Sequence, residues 1–300
     1  MSNRTLAILA ALGATIIYGL NHTIAKEVMP TYVQPFGFIF LRVSGAALLF
    51  WCIAPFAPKQ KIERKDWGRI AICAVLGMVI NMLAFFKGLQ LSTPINSAVL
   101  VTITPIIVVV LSTLFIKEKI TLQKVLGVFL GLIGALTLIL FGAEIRSDAP
   151  NIPLGNMLFV VNATVYGTYL IVVKSLILKY HPFVLLKWLF TIGVIVNFPI
   201  TFSEVTAIQW STLPTDIIGA IIFVILGTTF GTYLFNAFAL TQLKASTVGA
   251  FVYLQPLVGV LFAILTGKDN LTSVKLVAMA LVLAGVYLAS KRVKPNPSEF

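Results

Sequence analysis

The chain has 300 residues, of which 59% are hydrophobic and 11% charged, and a formal net charge of +12. A water-solvated domain has roughly a quarter of its residues charged, so a surface this poor in charge calls for lipid as its solvent. Long unbroken apolar runs, without period-two alternation, exclude an outer-membrane barrel and specify membrane-spanning helices.

Taken in order, the apolar runs predict spans at 5–25, 35–55, 67–89, 94–116 and 121–141, then at 154–174, 182–202, 215–239, 245–266 and 272–290. Each approaches the roughly 20 residues that cross about 30 Å of hydrocarbon. Pro30, Pro35, Pro58, Pro94, Pro150, Pro153, Pro182 and Pro214 fall at or near the proposed ends, where proline is tolerated. The longest polar stretches, 56–66, 142–153 and 203–214, leave no room for a soluble domain. The first run exceeds a signal-peptide core and has a copy later in the chain, so it reads as a retained helix. Cys52 and Cys73 sit in or beside apolar runs and read as small hydrophobes rather than a disulfide or metal pair.

Basic residues follow the loops. With both termini on one face, that face receives Arg4; Lys59, Lys61, Arg64, Lys65 and Arg69; Lys117, Lys119 and Lys124; Lys174, Lys179 and Lys187; Lys244; and Lys291, Arg292 and Lys294, sixteen in all. The opposite face receives five: Lys26, Lys87, Arg146, Lys268 and Lys275. The positive-inside rule then places both termini in the cytoplasm. The same distribution accounts for the net charge without any nucleic-acid partner.

The two halves of the chain repeat. An offset of 151 pairs Leu89 with Leu240, Pro105 with Pro256, Thr121 with Thr272 and Gly134 with Gly285. Near the start, an offset of 148 pairs Tyr18-Gly19 with Tyr166-Gly167, and Pro35-Phe36 matches Pro182-Phe183 at 147. The expected fold is therefore an all-α integral membrane protein of ten transmembrane helices, built as two five-helix repeats over 1–145 and 150–300. An odd number of spans per repeat makes the second copy inverted in the membrane. Inverted repeats are a transporter architecture, with the site near the midplane between them.

Several stretches carry a resemblance: Tyr18-Gly19-Leu20-Asn21, Arg42, Gly88-Leu89-Gln90-Leu91-Ser92-Thr93-Pro94, Thr104-Pro105, Lys117-Glu118-Lys119 and Gly127 to Gly134. The second copy repeats the pattern more loosely in Leu254-Gln255-Pro256 and Gly285, with Asp269 where the first has Glu118. Along essentially its whole length the chain resembles a bacterial drug/metabolite transporter of the EamA type. That resemblance implies a multi-pass protein of the cell inner membrane that exports small molecules, from amino acids to cationic drugs, and it does not select among them.

Polar side chains inside spans need a partner, a cavity or a helix interface. Span one offers Tyr18, Asn21 and His22, and the repeat-related span six offers Asn162, Tyr166 and Tyr169. Spans three and eight add Asn81, Phe85, Phe86, Tyr233 and Asn236, while spans four and nine add Asn96, Ser97, Thr102, Thr104, Thr247, Tyr253 and Gln255, the Ser and Thr members being usually satisfied by the carbonyl a turn earlier. The expected substrate cavity is Tyr18, Asn21, Asn81, Phe85, Asn162, Tyr166, Tyr169, Tyr233, Asn236, Tyr253 and Gln255. The alternative for each is an ordinary interhelical hydrogen bond.

Three cations or potential cations are candidates along the pathway: His22, Arg42 and Lys87. His22, with an unperturbed imidazole pKa of ~6.5, suits a proton switch, although its place near the outer end of span one favours a wetted surface histidine. Lys87 is expected to snorkel to the interface. Arg42 divides between a structural ion pair and a cavity role, with Glu27 and Glu204 the nearest acidic residues. Pro105 and Pro256, at matching depths, read as hinges or as static kinks. Gly127, Gly131 and Gly134 form a small-residue stripe for close helix packing, a homodimer contact being the lesser alternative.

No carboxylate is expected deep in a span, which favours facilitated diffusion or exchange over tight proton coupling. Zinc-protease and phosphate-loop motifs are absent from the sequence, so no metal, cofactor or enzymatic activity is expected. The expected function is alternating-access transport of small organic metabolites such as amino acids, with the lipid bilayer as the surrounding partner. A non-transporting membrane scaffold or sensor with the same fold is the alternative.

Overall fold

The computed structural model describes residues 2–92, 100–117, 120–142, 151–265 and 272–290. All regular structure among them is helical: α1 (Asn3–Val28), α2 (Pro35–Ile53), α3 (Arg64–Leu91), α4 (Thr104–Ile116), α5 (Leu122–Gly142), α6 (Ile152–Lys179), α7 (Pro182–Thr206), α8 (Thr215–Gln242), α9 (Ala245–Ala250), α10 (Leu254–Leu265) and α11 (Ser273–Ser290). Stretches within α1, α2, α3, α6, α7 and α8 are long and apolar enough to cross a membrane, and α4, α5 and α11 contribute shorter apolar helices. Residues 93–94, 118–119 and 269, which carry part of the resemblance, lie outside the described residues, as do Asn96 and Ser97.

Local chemistry starts these helices where the sequence places them. The Ser2 hydroxyl accepts from the Thr5 amide at 3.2 Å to open α1, and Asn151 Oδ1 accepts from the Leu154 amide at 3.2 Å to open α6. Pro35, Pro153 and Pro182 occupy first-turn positions, where their fixed φ is already helical. The opening turn of α2 is satisfied from far away: Glu204, near the end of α7, accepts from the amides of Phe36 at 2.6 Å and Gly37 at 3.0 Å. Glu204 is thereby committed to a helix N-terminus, where its negative charge meets the positive end of the dipole.

The packing interchanges the two halves. Helix α1 lies against α8 and α10, while α6 lies against α3 and α4. Helices α2 and α7 pack on each other, as do α5 and α11. Gly127, Gly131, Gly134 and Gly285 bring α5 and α11 together: a Cβ on Gly285 would stand 2.3 Å from the Gly131 amide nitrogen, and one on Gly134 2.7 Å from the Ala278 carbonyl oxygen. The stripe thus works inside the bundle, with backbone against backbone. Leu48, Leu114, Phe115, Leu122 and Ile195 are more than half exposed, forming apolar surface that water would not tolerate and lipid tails would cover.

Two features interrupt the regular helices at related places. A π-helical turn occupies Val75–Ile80 in α3 and another occupies Val224–Gly231 in α8. Such a turn frees carbonyl oxygens from the ladder, and in lipid each must find another donor. Tyr233 Oη donates to the Gly77 carbonyl at 2.9 Å, Asn197 Nδ2 to that of Met78 at 2.9 Å, and Thr229 Oγ1 to that of Val224 at 2.8 Å. The second feature concerns the prolines expected as hinges. Pro105 lies in the first turn of α4, and Pro256 is the third residue of α10, after the 3-10 turn Phe251–Tyr253. Pro256 thus follows a 3-10 turn inside the continuous helical run 245–265, and Pro105 takes a first-turn position, where its missing amide costs no ladder bond.

One end of the bundle carries a polar clasp. Lys179 Nζ lies 2.6 Å from Glu63 and 2.5 Å from Asp66, and Tyr180 Oη donates to Asp66 at 2.6 Å. Hydrogen bonds from Lys179 and Lys65 hold the Glu63 carboxyl below the usual carboxylate range. The clasp ties the start of α3 to the end of α6.

Candidate functional site

Polar residues from both halves converge on one cavity. In α1, Tyr18 and Asn21 stand three positions apart and share a face. In α6, Asn162 and Tyr166 do the same at four positions. Helix α3 presents Asn81, Met82, Phe85 and Phe86 directly after its π turn, and α8 presents Tyr233 directly after its own. The extra residue in a π turn advances every later side chain by about 100°, so these turns set which residues meet the cavity. Arg42 of α2, Val101 just before α4, Thr104 at its start, Val252 in the 3-10 turn after α9 and Gln255 in the first turn of α10 complete the wall. The space open to the centre of a water molecule is about 90 Å³. At roughly 10–15 Å³ per water, it holds several waters or a small organic molecule.

Of the residues expected to form a cavity, Tyr18, Asn21, Asn81, Phe85, Asn162, Tyr166, Tyr233 and Gln255 are in this wall together with Arg42. Tyr169, Asn236 and Tyr253 are not, and each has a packing role instead. Tyr169 stacks on Tyr166 with centroids 6.0 Å apart and lies over Gly77, where a Cβ would come within 2.8 Å of its ring. Asn236 stands behind the wall and donates from Nδ2 to the Tyr166 hydroxyl at 3.3 Å. Tyr253 is fully buried with its ring against Gly131. Lys87 donates to Gln90 at 2.7 Å and lies 5.8 Å from the Phe36 ring centroid, outside the cavity lining. His22 belongs to α1, and its side chain lies outside the described residues. Met82, Val101 and Val252 are lining residues without a sequence signal, being apolar residues in apolar spans.

The cavity's charge comes from Arg42, which is 4% exposed. Its Nε donates to Thr229 Oγ1 at 2.9 Å, and its Cζ stands 4.7 Å from the Phe86 ring centroid. Thr229 in turn donates to the Val224 carbonyl, so the π turn of α8 holds a guanidinium that belongs to α2. Among the described residues no carboxylate pairs with Arg42, and Nη1 and Nη2 make no hydrogen bond to any of them. A guanidinium gripped at Nε and supported on one face presents its remaining donors as a rigid fork. Asn21 Oδ1 is buried and accepts no hydrogen bond from the described residues. Asn162 is satisfied differently, donating from Nδ2 to the Asn81 carbonyl at 2.9 Å.

The comparisons with known proteins agree with this architecture. The model of the EamA-like transporter family matches the chain twice, over residues 5–140 and 153–291. The uncharacterized transporter YetK of Bacillus subtilis is 25% identical over 296 residues, covering 97% of this chain and 87% of YetK. The uncharacterized inner membrane transporter YhbE of Escherichia coli K12 is 27% identical over 269 residues, covering 86% of this chain and 80% of YhbE. A solved crystal structure superimposes with a TM-score of 0.75 at 16% identity, covering 95% of this chain and 96% of the other, which is a likeness of fold. Matched across nearly its whole length, this multi-pass membrane chain belongs to the EamA-like transporter family.

Proposed function

We propose that the chain is a ten-span inner-membrane transporter, an exporter or facilitator of small organic metabolites such as amino acids, working by alternating access around this cavity. The observation that carries the reading is a cavity walled by both matched halves, to which polar side chains come from each: Tyr18 and Asn21 from one and Asn162, Tyr166, Tyr233 and Gln255 from the other. The packing supports it, since the α1 pairings with α8 and α10 correspond to the α6 pairings with α3 and α4 when the halves are exchanged. Five spans per half would invert the second copy, so exchanging the conformations of the halves would turn one open face into the other. The excess of basic residues on the terminal side supports cytoplasmic termini. The described lining holds no carboxylate, which favours facilitation or exchange over proton coupling.

The test is flux in liposomes containing the purified protein, with amino acids, nucleosides and organic cations each offered with and without a pH gradient. Saturable movement of one class that survives collapse of the gradient is the expected result. Gradient-dependent movement would reverse the coupling assignment and make His22 the first residue to replace. If no compound in the panel moves, the non-transporting scaffold reading takes its place.

A further inference from the structure

We propose that Lys174 is the latch of a cytoplasmic gate, and that its repeat mate Lys26 latches the outer gate in the opposite state of the cycle. This rests on reading the chain as an alternating-access transporter and names the contacts that set which face is open. Lys174 follows Tyr166 on α6, about 12 Å further along the helix towards its cytoplasmic end at the 1.5 Å rise of each residue. Half-buried there, its ammonium donates to the Leu240 carbonyl and, at 2.6 Å, to the Leu243 carbonyl. Helix α8 ends at Gln242, so both carbonyls are among those its own ladder leaves over, at the negative end of its dipole. Leu240 and Leu243 are buried, and the contact draws the ends of α6 and α8 together on the cytoplasmic side of the cavity.

Comparing the halves separates the contacts that change from those that do not. If the second state is this one with the halves exchanged, a contact present in both persists, and a contact present in one is made and broken in each cycle. The packing of α1 on α8 has its mate in that of α6 on α3, so both pairs, with the Lys179 clasp inside one of them, form the constant frame. The packing of α6 on α8 has no such mate: α1 and α3 make no comparable contact among the described residues. The sequence still carries the parts of a second latch. Lys26 stands as far beyond Tyr18 as Lys174 does beyond Tyr166, and the offset of 151 matches Leu240 and Leu243 to Leu89 and Ser92. Helix α3 ends at Leu91 with Ser92 as its C-cap, as α8 ends at Gln242 with Leu243 as its C-cap. The Lys26 side chain lies outside the described residues and enters through this pairing alone. One ammonium on one helix end would then close one mouth at a time.

The experiment is sided labelling of a cavity cysteine in the full-length protein. With Cys52 and Cys73 replaced, Tyr18→Cys is offered a membrane-impermeant maleimide in sealed vesicles of either orientation, and the rates from the two faces give a ratio. With both lysines in place, labelling is expected to be faster from the outer face. Lys174→Met should raise the cytoplasmic-to-outer ratio at least roughly tenfold, because a charge-assisted contact made in one state alone is lost. Lys174→Arg, which keeps the charge, should restore the ratio. Lys26→Met should lower it, and the double variant should return it towards the starting value. Thermal unfolding of each variant separates a shift between states from a loss of folding. A lysine that only braced the bundle would lower the melting temperature and leave the ratio unchanged, which would overturn the assignment. Faster cytoplasmic labelling with both lysines in place, or shifts in the same direction for both Met variants, would overturn it too. Should Lys174→Met fail to fold, Lys26→Met decides, and an unchanged or raised ratio there counts against the latches. Flux in liposomes is scored separately. Opposed shifts without flux keep the gate and remove the transport reading, whereas flux with no shift in either variant keeps transport and removes the latches.

Discussion

At the scale of single residues, the π turns explain why certain polar side chains are buried at all. Asn197 is fully buried on α7, and its Nδ2 donates both to the Met78 carbonyl freed by the α3 π turn and to Gly193 at 2.8 Å. Replacing it by alanine removes both of these hydrogen bonds, at a cost of about 0.5–1.5 kcal/mol each. Asn197→Ala should therefore unfold at a lower temperature in detergent, while ligand affinity changes little because Asn197 does not line the cavity. An unchanged melting temperature would mean that the π turn is not held by this side chain. Tyr233→Phe removes the donor to Gly77 in the same way, again at about 0.5–1.5 kcal/mol. Since Tyr233 also lines the cavity, stability and binding should fall together.

At the scale of elements, helix contacts made through glycine are the least forgiving. Gly285→Ala sets a methyl 2.3 Å from the Gly131 nitrogen and 2.7 Å from the Gly127 oxygen, both backbone atoms that cannot rotate away. Forcing α5 and α11 apart should cost about 1–3 kcal/mol. The same change at Gly219, where nothing lies within 4 Å, should be neutral or stabilise by roughly 0.5–1 kcal/mol through helix propensity. Melting temperatures of the pair provide an internal control, and equal losses would contradict the packing. Glu204→Ala tests a different joint. It removes the acceptor for the Phe36 and Gly37 amides and should cost about 1 kcal/mol by freeing the start of α2. A thermal scan reads that loss, and none is expected at an exposed glutamate such as Glu27.

At the scale of the whole molecule, the proposal requires the cavity to be reached by water from alternate faces. With Cys52 and Cys73 replaced, Tyr18→Cys and Tyr166→Cys should react with a membrane-impermeant thiol reagent, and at a rate that a bound ligand changes. Protection of both positions from both faces, with and without ligand, would remove the cavity from the pathway. Tyr18 and Tyr166 are the better probes because they are repeat-related and lie in one wall, so a symmetric exchange of the halves should affect them alike.

Membrane residence, the approximate positions of the helices and the two-fold repetition were legible in the amino-acid order, because hydropathy and short motifs act locally. Tyr18, Asn21, Arg42 and Asn162 were legible as well, since a polar group in an apolar run is conspicuous wherever it points. Which polar group meets a cavity and which meets a neighbouring helix was not. Tyr166 lines the space while Tyr169, three positions on and of the same chemistry, packs on Gly77. The π turns advance the phase of α3 and α8 without a mark in the residue pattern, so the face presented by Asn81 and Tyr233 follows from contacts with other helices. Glu204 read as a candidate partner for Arg42 until packing assigned it to the start of α2. Arg42 is left with an open fork for the same reason: whether a buried charge is paired depends on which distant residues the fold brings beside it.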